Sequence, residues 1–141
     1  MQKCSIIADL MEELARHKWN EGCRLGYDLG DRAIDLWEKQ HWYGYVRERW
    51  IQHITGTNFW EEFNPQEYDI IHREHMGPDE VVEFVIEKLR WGWEQLDFCH
   101  RQYEKNVQPE YVHIVLSRLN INDHRYEFKQ FYRKNQCECR N

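Results

Sequence analysis

The sequence predicts an all-α protein, a compact bundle of five or six helices opened by an N-terminal antiparallel helical hairpin. Three observations predict it. Apolar residues recur at 3- and 4-residue spacing along most of the chain, with no alternating stretch of useful length and no repeat. The 141 residues suffice for one domain with a real core. Seven Trp, eight Tyr and six Phe supply large apolar side chains, so that core need not be rich in Leu and Val. Residues 1–134 read as the domain and 135–141 as a polar tail.

The first helix is predicted from about Ser5 to Tyr27, on the stripe Ile7, Leu10, Met11 and Leu14. DLGD, residues 28–31, is a turn, with Asp31 placed to cap the second helix. That helix runs from Asp31 to Ile54. Its early apolar face holds Ile34 and Trp37, and its later one Val46, Trp50 and Ile54. At about 100° per residue these faces do not coincide, so the helix is buried on more than one side or bends near Gly44. Residues 63–79 predict a short helix. Asn64 is its N-cap, Pro65 its first residue, Glu67 completes something close to a capping box, and Gly77-Pro78 stop it. One long helix is then expected from Asp79 to about Lys105. Val82, Val85, Leu89, Trp93, Leu96 and Tyr103 form its core face. Phe84, Trp91 and Phe98, seven apart, form a second stripe that packs on a neighbour or meets a partner. Helices from Pro109 to Leu119 and from about Asp123 to Lys134 complete the bundle, the last with Phe128 and Phe131 inward.

No apolar run is long enough to cross a bilayer. The opening MQKCSIIADL carries an acid early and no cleavable apolar region, so the expected location is cytoplasmic. Five cysteines, an odd number, argue against a disulfide framework. Cys4, Cys23 and Cys99 read as small buried hydrophobes, and Cys137 and Cys139 as a thiol pair in the tail. The net charge of −6 argues against general nucleic-acid binding. The end of the chain is locally basic, with six bases against three acids from Arg118 to Asn141, and is the nucleic-acid candidate.

Eight histidines carry the sharper question. Four have an acid three residues earlier: Glu38-His41, Asp69-His72, Asp97-His100 and Glu110-His113. With 25 acids among 141 residues, chance places about 1.4 such pairs, so helix geometry has to sort them. Glu110-His113 points away from its helix's core face. Asp69 lies off the stripe that holds His72 and His75. His41 and His100 lie on core faces with an acid at the edge. In the first helix, His17 and Glu21 interrupt the apolar stripe. Folding the first two helices about the turn at 28–31 brings Glu21 to Glu38 and His17 to His41. Facing carboxylates repel unless a cation or a proton lies between them, and either a metal or an arginine would serve. Glu21, Glu38, His41, Asp97 and His100 are therefore the candidate ligands for iron or zinc, with His17, His72 and His75 secondary.

In residues 17–63, His17-Lys18-Trp19, the Asp28-Leu29-Gly30 turn, Trp37, His41-Trp42, Arg47 to Trp50 and Phe59-Trp60 make up a pattern that resembles a group of short bacterial proteins without assigned function. The resemblance implies that these helices form a unit, and implies no activity, cofactor or partner. Three functions stay open. The first is a non-catalytic protein-binding or assembly module, docking a protein partner or a second copy through Phe84, Trp91 and Phe98. The second is a metalloprotein, possible as a non-haem oxidoreductase. The third is nucleic-acid binding at the basic end.

Overall fold

The computed structural model describes residues 3–100, 107–120 and 126–132, the side chain of His100 excepted. The fold is all-α apart from one two-residue strand pairing. In order it holds β1 (Lys3–Cys4), α1 (Ile6–Leu25), α2 (Asp31–Ile54), β2 (Phe59–Trp60), a 3-10 turn (Pro65–Glu67), α3 (Ile70–Arg73), α4 (Asp79–Arg90), α5 (Gln95–His100), α6 (Pro109–Leu119) and α7 (Phe128–Phe131). No helix among the described residues is long and apolar enough to cross a membrane.

The first helix starts where a side chain can take up its free N–H groups. Ser5 Oγ accepts from Ala8 N–H and donates to Glu62 (2.7 Å). The Glu62 carboxylate also accepts from the N–H groups of Ile6 and Ile7. A carboxylate over a helix N-terminus satisfies orphan donors and complements the macrodipole. Glu62 is in place because β1 pairs in parallel with β2, Lys3 opposite Phe59 and Cys4 opposite Trp60. This pairing is too short to leave an alternating pattern in the sequence.

Helices α1 and α2 form the expected hairpin. Gly30, rather than Asp31, is the N-cap of α2, fixed by the Asp28 carboxylate accepting from its N–H (2.8 Å). Helix α2 runs unbroken through Gly44 and is buried on several sides, at Trp37, Trp42, Val46, Trp50, Ile51 and Ile54. Trp42 faces the C-terminal part of the chain, with ring centroids 5.2 Å from Phe128 and 5.6 Å from Phe131. Its indole N–H donates to Tyr126 O (2.9 Å). Of the last predicted helix only Phe128–Phe131 is helical among the described residues, with both phenylalanines inward as expected. The expected helical stretches 101–105, 123–125 and 133–134, and the Cys137/Cys139 pair, lie outside the described residues.

Two expected helices are broken. Asn64 and Pro65 start a segment as predicted, but it is a 3-10 turn that stops at Glu67. Asp69 turns left-handed (φ 56°) before α3, because its N–H donates to His53 O (2.9 Å) and ties it to the end of α2. The approach is so close that a Cβ on Gly56 would lie 2.6 Å from the Asp69 carboxylate.

The long helix from Asp79 divides at Trp91-Gly92. Gly92 is left-handed (φ 95°). Trp93 N–H donates to Lys88 O and Gly92 N–H to Leu89 O, both at 3.0 Å. This is a Schellman motif, which ends a helix by satisfying its last carbonyls. Arg47 of α2 completes the break. Its Nη1 donates to Leu89 O and Trp93 O, and its Nη2 to Glu94 (2.9 Å). Glu94 N–H donates to the Asp97 carboxylate (2.8 Å), which opens α5. The bend turns Phe98 back onto Phe84 and Trp93, with centroids 6.4 and 5.1 Å apart. Leu96, expected in the core, is exposed for the same reason.

Candidate functional site

Three places carry the sequence-based candidates. The first is the cleft between α1 and α2, a cavity of about 400 Å³ lined in part by Glu13, His17, Trp37, His41, Tyr45 and Arg49. The hairpin does bring His17 to His41, with ring centroids 6.4 Å apart in a T-shaped arrangement, and Trp37 packs 5.8 Å from His41. His17 Nε2 is buried without a hydrogen-bond partner among the described residues.

The acids do not follow the histidines. Glu21 pairs with Arg24 of its own helix (2.7 Å), which holds its carboxyl below the usual carboxylate range. Glu38 is exposed, with no hydrogen bond or ion pair among the described residues. The Asp97 carboxylate serves the backbone of Glu94, and the His100 side chain lies outside the described residues. Among the described residues no group of three or more His, Cys, Asp or Glu is arranged to hold a metal ion.

The cleft's charge is balanced by a different acid. Asp9 accepts a short hydrogen bond from the Tyr45 hydroxyl and another from Arg49 Nη2 (2.9 Å). The Arg49 guanidinium stacks 3.5 Å over the Tyr45 ring. Burial, with the Asp9 hydrogen bond, pushes the Tyr45 hydroxyl far above its ordinary range, so it stays a proton donor. An arginine neutralised by a carboxylate and a tyrosine locked in its neutral form serve as structural ties. They are poorly suited to moving protons.

Near α3, His72 Nδ1 lies 2.5 Å from Asp69, against the expectation that Asp69 points elsewhere; the pair is exposed and His75 is exposed with a left-handed backbone. The histidine that periodicity overlooked is His53. It is fully buried, its Nδ1 accepting from Trp60 N–H (3.1 Å) and its Nε2–H donating to Asn64 O (2.9 Å). Burial lowers its pKa, which keeps the imidazole neutral. It has no acid three residues before it, so no spacing rule could have found it.

The second place is the α4–α5 junction. Phe84 and Phe98 are buried, which removes them from any partner surface; the helix break turns both inward. Trp91, at the C-cap, stays 65% exposed, with Lys88 Nζ 3.5 Å above its ring. It borders a groove of about 460 Å³ that includes Ile71, Val82 and Ile86, with Glu83 and Glu87 also lining it.

The third is the basic end. Arg118 donates to Glu74 O (3.4 Å), and Lys129 pairs with Glu127 (3.3 Å). The remaining bases of that stretch, Arg125, Arg133, Lys134 and Arg140, lie outside the described residues. Cys23 and Cys99, expected to be buried, are exposed.

Comparison with known proteins found no matching family model, no matching curated protein and no matching solved structure. The functional reading therefore rests on the geometry of this chain.

Proposed function

We propose that the protein is a small non-catalytic binding module that docks a protein partner around Trp91. The supporting observation is the exposed indole itself, which stands at the edge of an apolar groove. Tryptophan is among the side chains that most often carry interface energy, and Lys88 over its face limits the rotamers it must give up on binding. The partner that fits offers an apolar anchor to Trp91 and the half-buried Val82 and a base to Glu83 or Glu87. The test compares affinity for a captured partner between the native chain and Trp91→Ala. The variant is expected to keep its far-ultraviolet spectrum and to bind at least about tenfold more weakly. Equal affinity removes the reading.

A second reading is supported by the approach of His17 to His41. Two imidazoles are half of a tetrahedral shell for zinc, or part of one for iron. Elemental analysis of untagged protein after metal loading tests it. Stoichiometric metal that is lost in His41→Ala supports it, and metal-free protein overturns it.

A further inference from the structure

The rings around Lys88 form a second site at the α4–α5 junction, which shares only Trp91 with the groove. Lys88 Nζ stands 3.5 Å from the ring centroid of Trp91, 5.4 Å from that of Trp93 and 5.5 Å from that of Phe84. All three lie within the reach of about 6 Å at which a cation is attracted to an aromatic face. The Phe84 and Trp93 rings stand at 89° to each other, centroids 6.2 Å apart, and make two fixed walls. Phe84 is buried on α4. Trp93 is held three ways: its N–H donates to Lys88 O (3.0 Å), its carbonyl accepts from Arg47 Nη1 (3.0 Å), and its ring packs on Phe98 (5.1 Å). The third wall, Trp91, is exposed and makes no ring–ring contact among the described residues. It can swing outward to admit a larger head without unpacking the core.

The walls suit a different cation better than the one they hold. The Lys88 ammonium has no hydrogen bond and no ion pair among the described residues, although Glu83 and Glu87 stand on the same helix. A lysine ammonium is a strongly hydrated point charge with three donors, and aromatic faces give those donors no full acceptor. A methylated ammonium has few or no N–H groups to satisfy and presents methyl groups to the rings. It is the head that aromatic cages recognise. We propose that Phe84, Trp91 and Trp93 form a cage for a methylated ammonium, with the chain's own Lys88 as a resident competitor that the ligand displaces. The flexible stem of Lys88 lets it leave by a change of rotamer. A small quaternary amine or a methylated lysine of a protein offers the required head.

Choline is the probe. Its neutral isostere, in which a tert-butyl group replaces the trimethylammonium, is the control for charge. Heteronuclear NMR of the indole N–H signals follows both in the full chain. Choline is expected to shift the Trp91 and Trp93 signals of the native chain in the millimolar range. Lys88→Ala, which empties the cage, is expected to bind choline at least about tenfold more tightly, since the competitor is gone. Lys88→Ser gives a second opened form with the same expectation. The neutral isostere is expected to bind either variant at least about tenfold more weakly than choline. Trp91→Ala added to Lys88→Ala is expected to abolish binding. A short peptide carrying trimethyllysine separates the two sources: tighter binding than choline's assigns the cage to a protein ligand, and equal or weaker binding assigns it to a small amine. Choline without effect on an opened variant whose circular dichroism matches the native chain overturns the proposal. So does a neutral isostere that binds as well as choline. Neither failure touches the docking reading, whose groove residues Lys88→Ala leaves in place and whose test uses a protein partner.

Discussion

Gly44 and Gly92 sit in stretches with similar helical periodicity, and only one of them interrupts its helix. Gly44 lies inside α2, while Gly92 is left-handed and ends the turn after α4. Both border one cavity of about 260 Å³ between the two segments, and a Cβ on either would meet nothing within 4 Å. Local crowding thus does not separate them. The downstream residues do. Beyond Gly44, helical continuation buries Val46, Trp50, Ile51 and Ile54. Beyond Gly92, a bend buries Phe98 against Phe84 and Trp93, and Arg47 is present to take the freed carbonyls. Glycine permits a break, and long-range partners decide whether one occurs.

The largest expected effect comes from removing the clamp. Arg47→Met deletes the donors to Leu89 O and Trp93 O and the ion pair to Glu94, at a site that is mostly covered. Charged hydrogen bonds of this kind predict a loss of about 3 kcal/mol in urea unfolding. A loss below about 1 kcal/mol would mean that the Schellman motif holds the bend unaided. The glycines give smaller effects of opposite sign. Gly92→Ala is expected to destabilise by about 1–2 kcal/mol, the cost of a left-handed alanine. Gly44→Ala is expected to stabilise by about 0.5–1 kcal/mol, because a helix interior favours alanine. If both shift the unfolding midpoint in one direction, the contrast between the two positions fails.

The limits of α2 and α6, and those of α1 to within two residues, were legible because turn residues stand at their ends and apolar residues recur at helical spacing between them, in one stripe for α1 and α6 and in offset faces for α2. The bend at Gly92 was not, since a helical period passes through it and the decisive residue, Arg47, is 46 positions from Trp93. At the candidate site, the meeting of His17 with His41 followed from folding the hairpin about its turn. The pairing of Glu21 followed a closer competitor, Arg24, one turn along the same helix. Asp9, which in fact balances the cleft, lies 36 positions from Tyr45 and belongs to no spacing motif.

The cap on α1 has a consequence in time. Glu62, 57 residues beyond Ser5, supplies the acceptors for the first turn. In synthesis from the N-terminus, the residues of α1 and α2 are joined before that carboxylate is added. The hairpin must first hold through its apolar contacts, with its leading turn frayed in water. Closing the loop to Glu62 then fastens the start of the helix late, so amide exchange in the first turn of α1 should report the docking of the β2 segment, a readout of assembly order built into a single side chain.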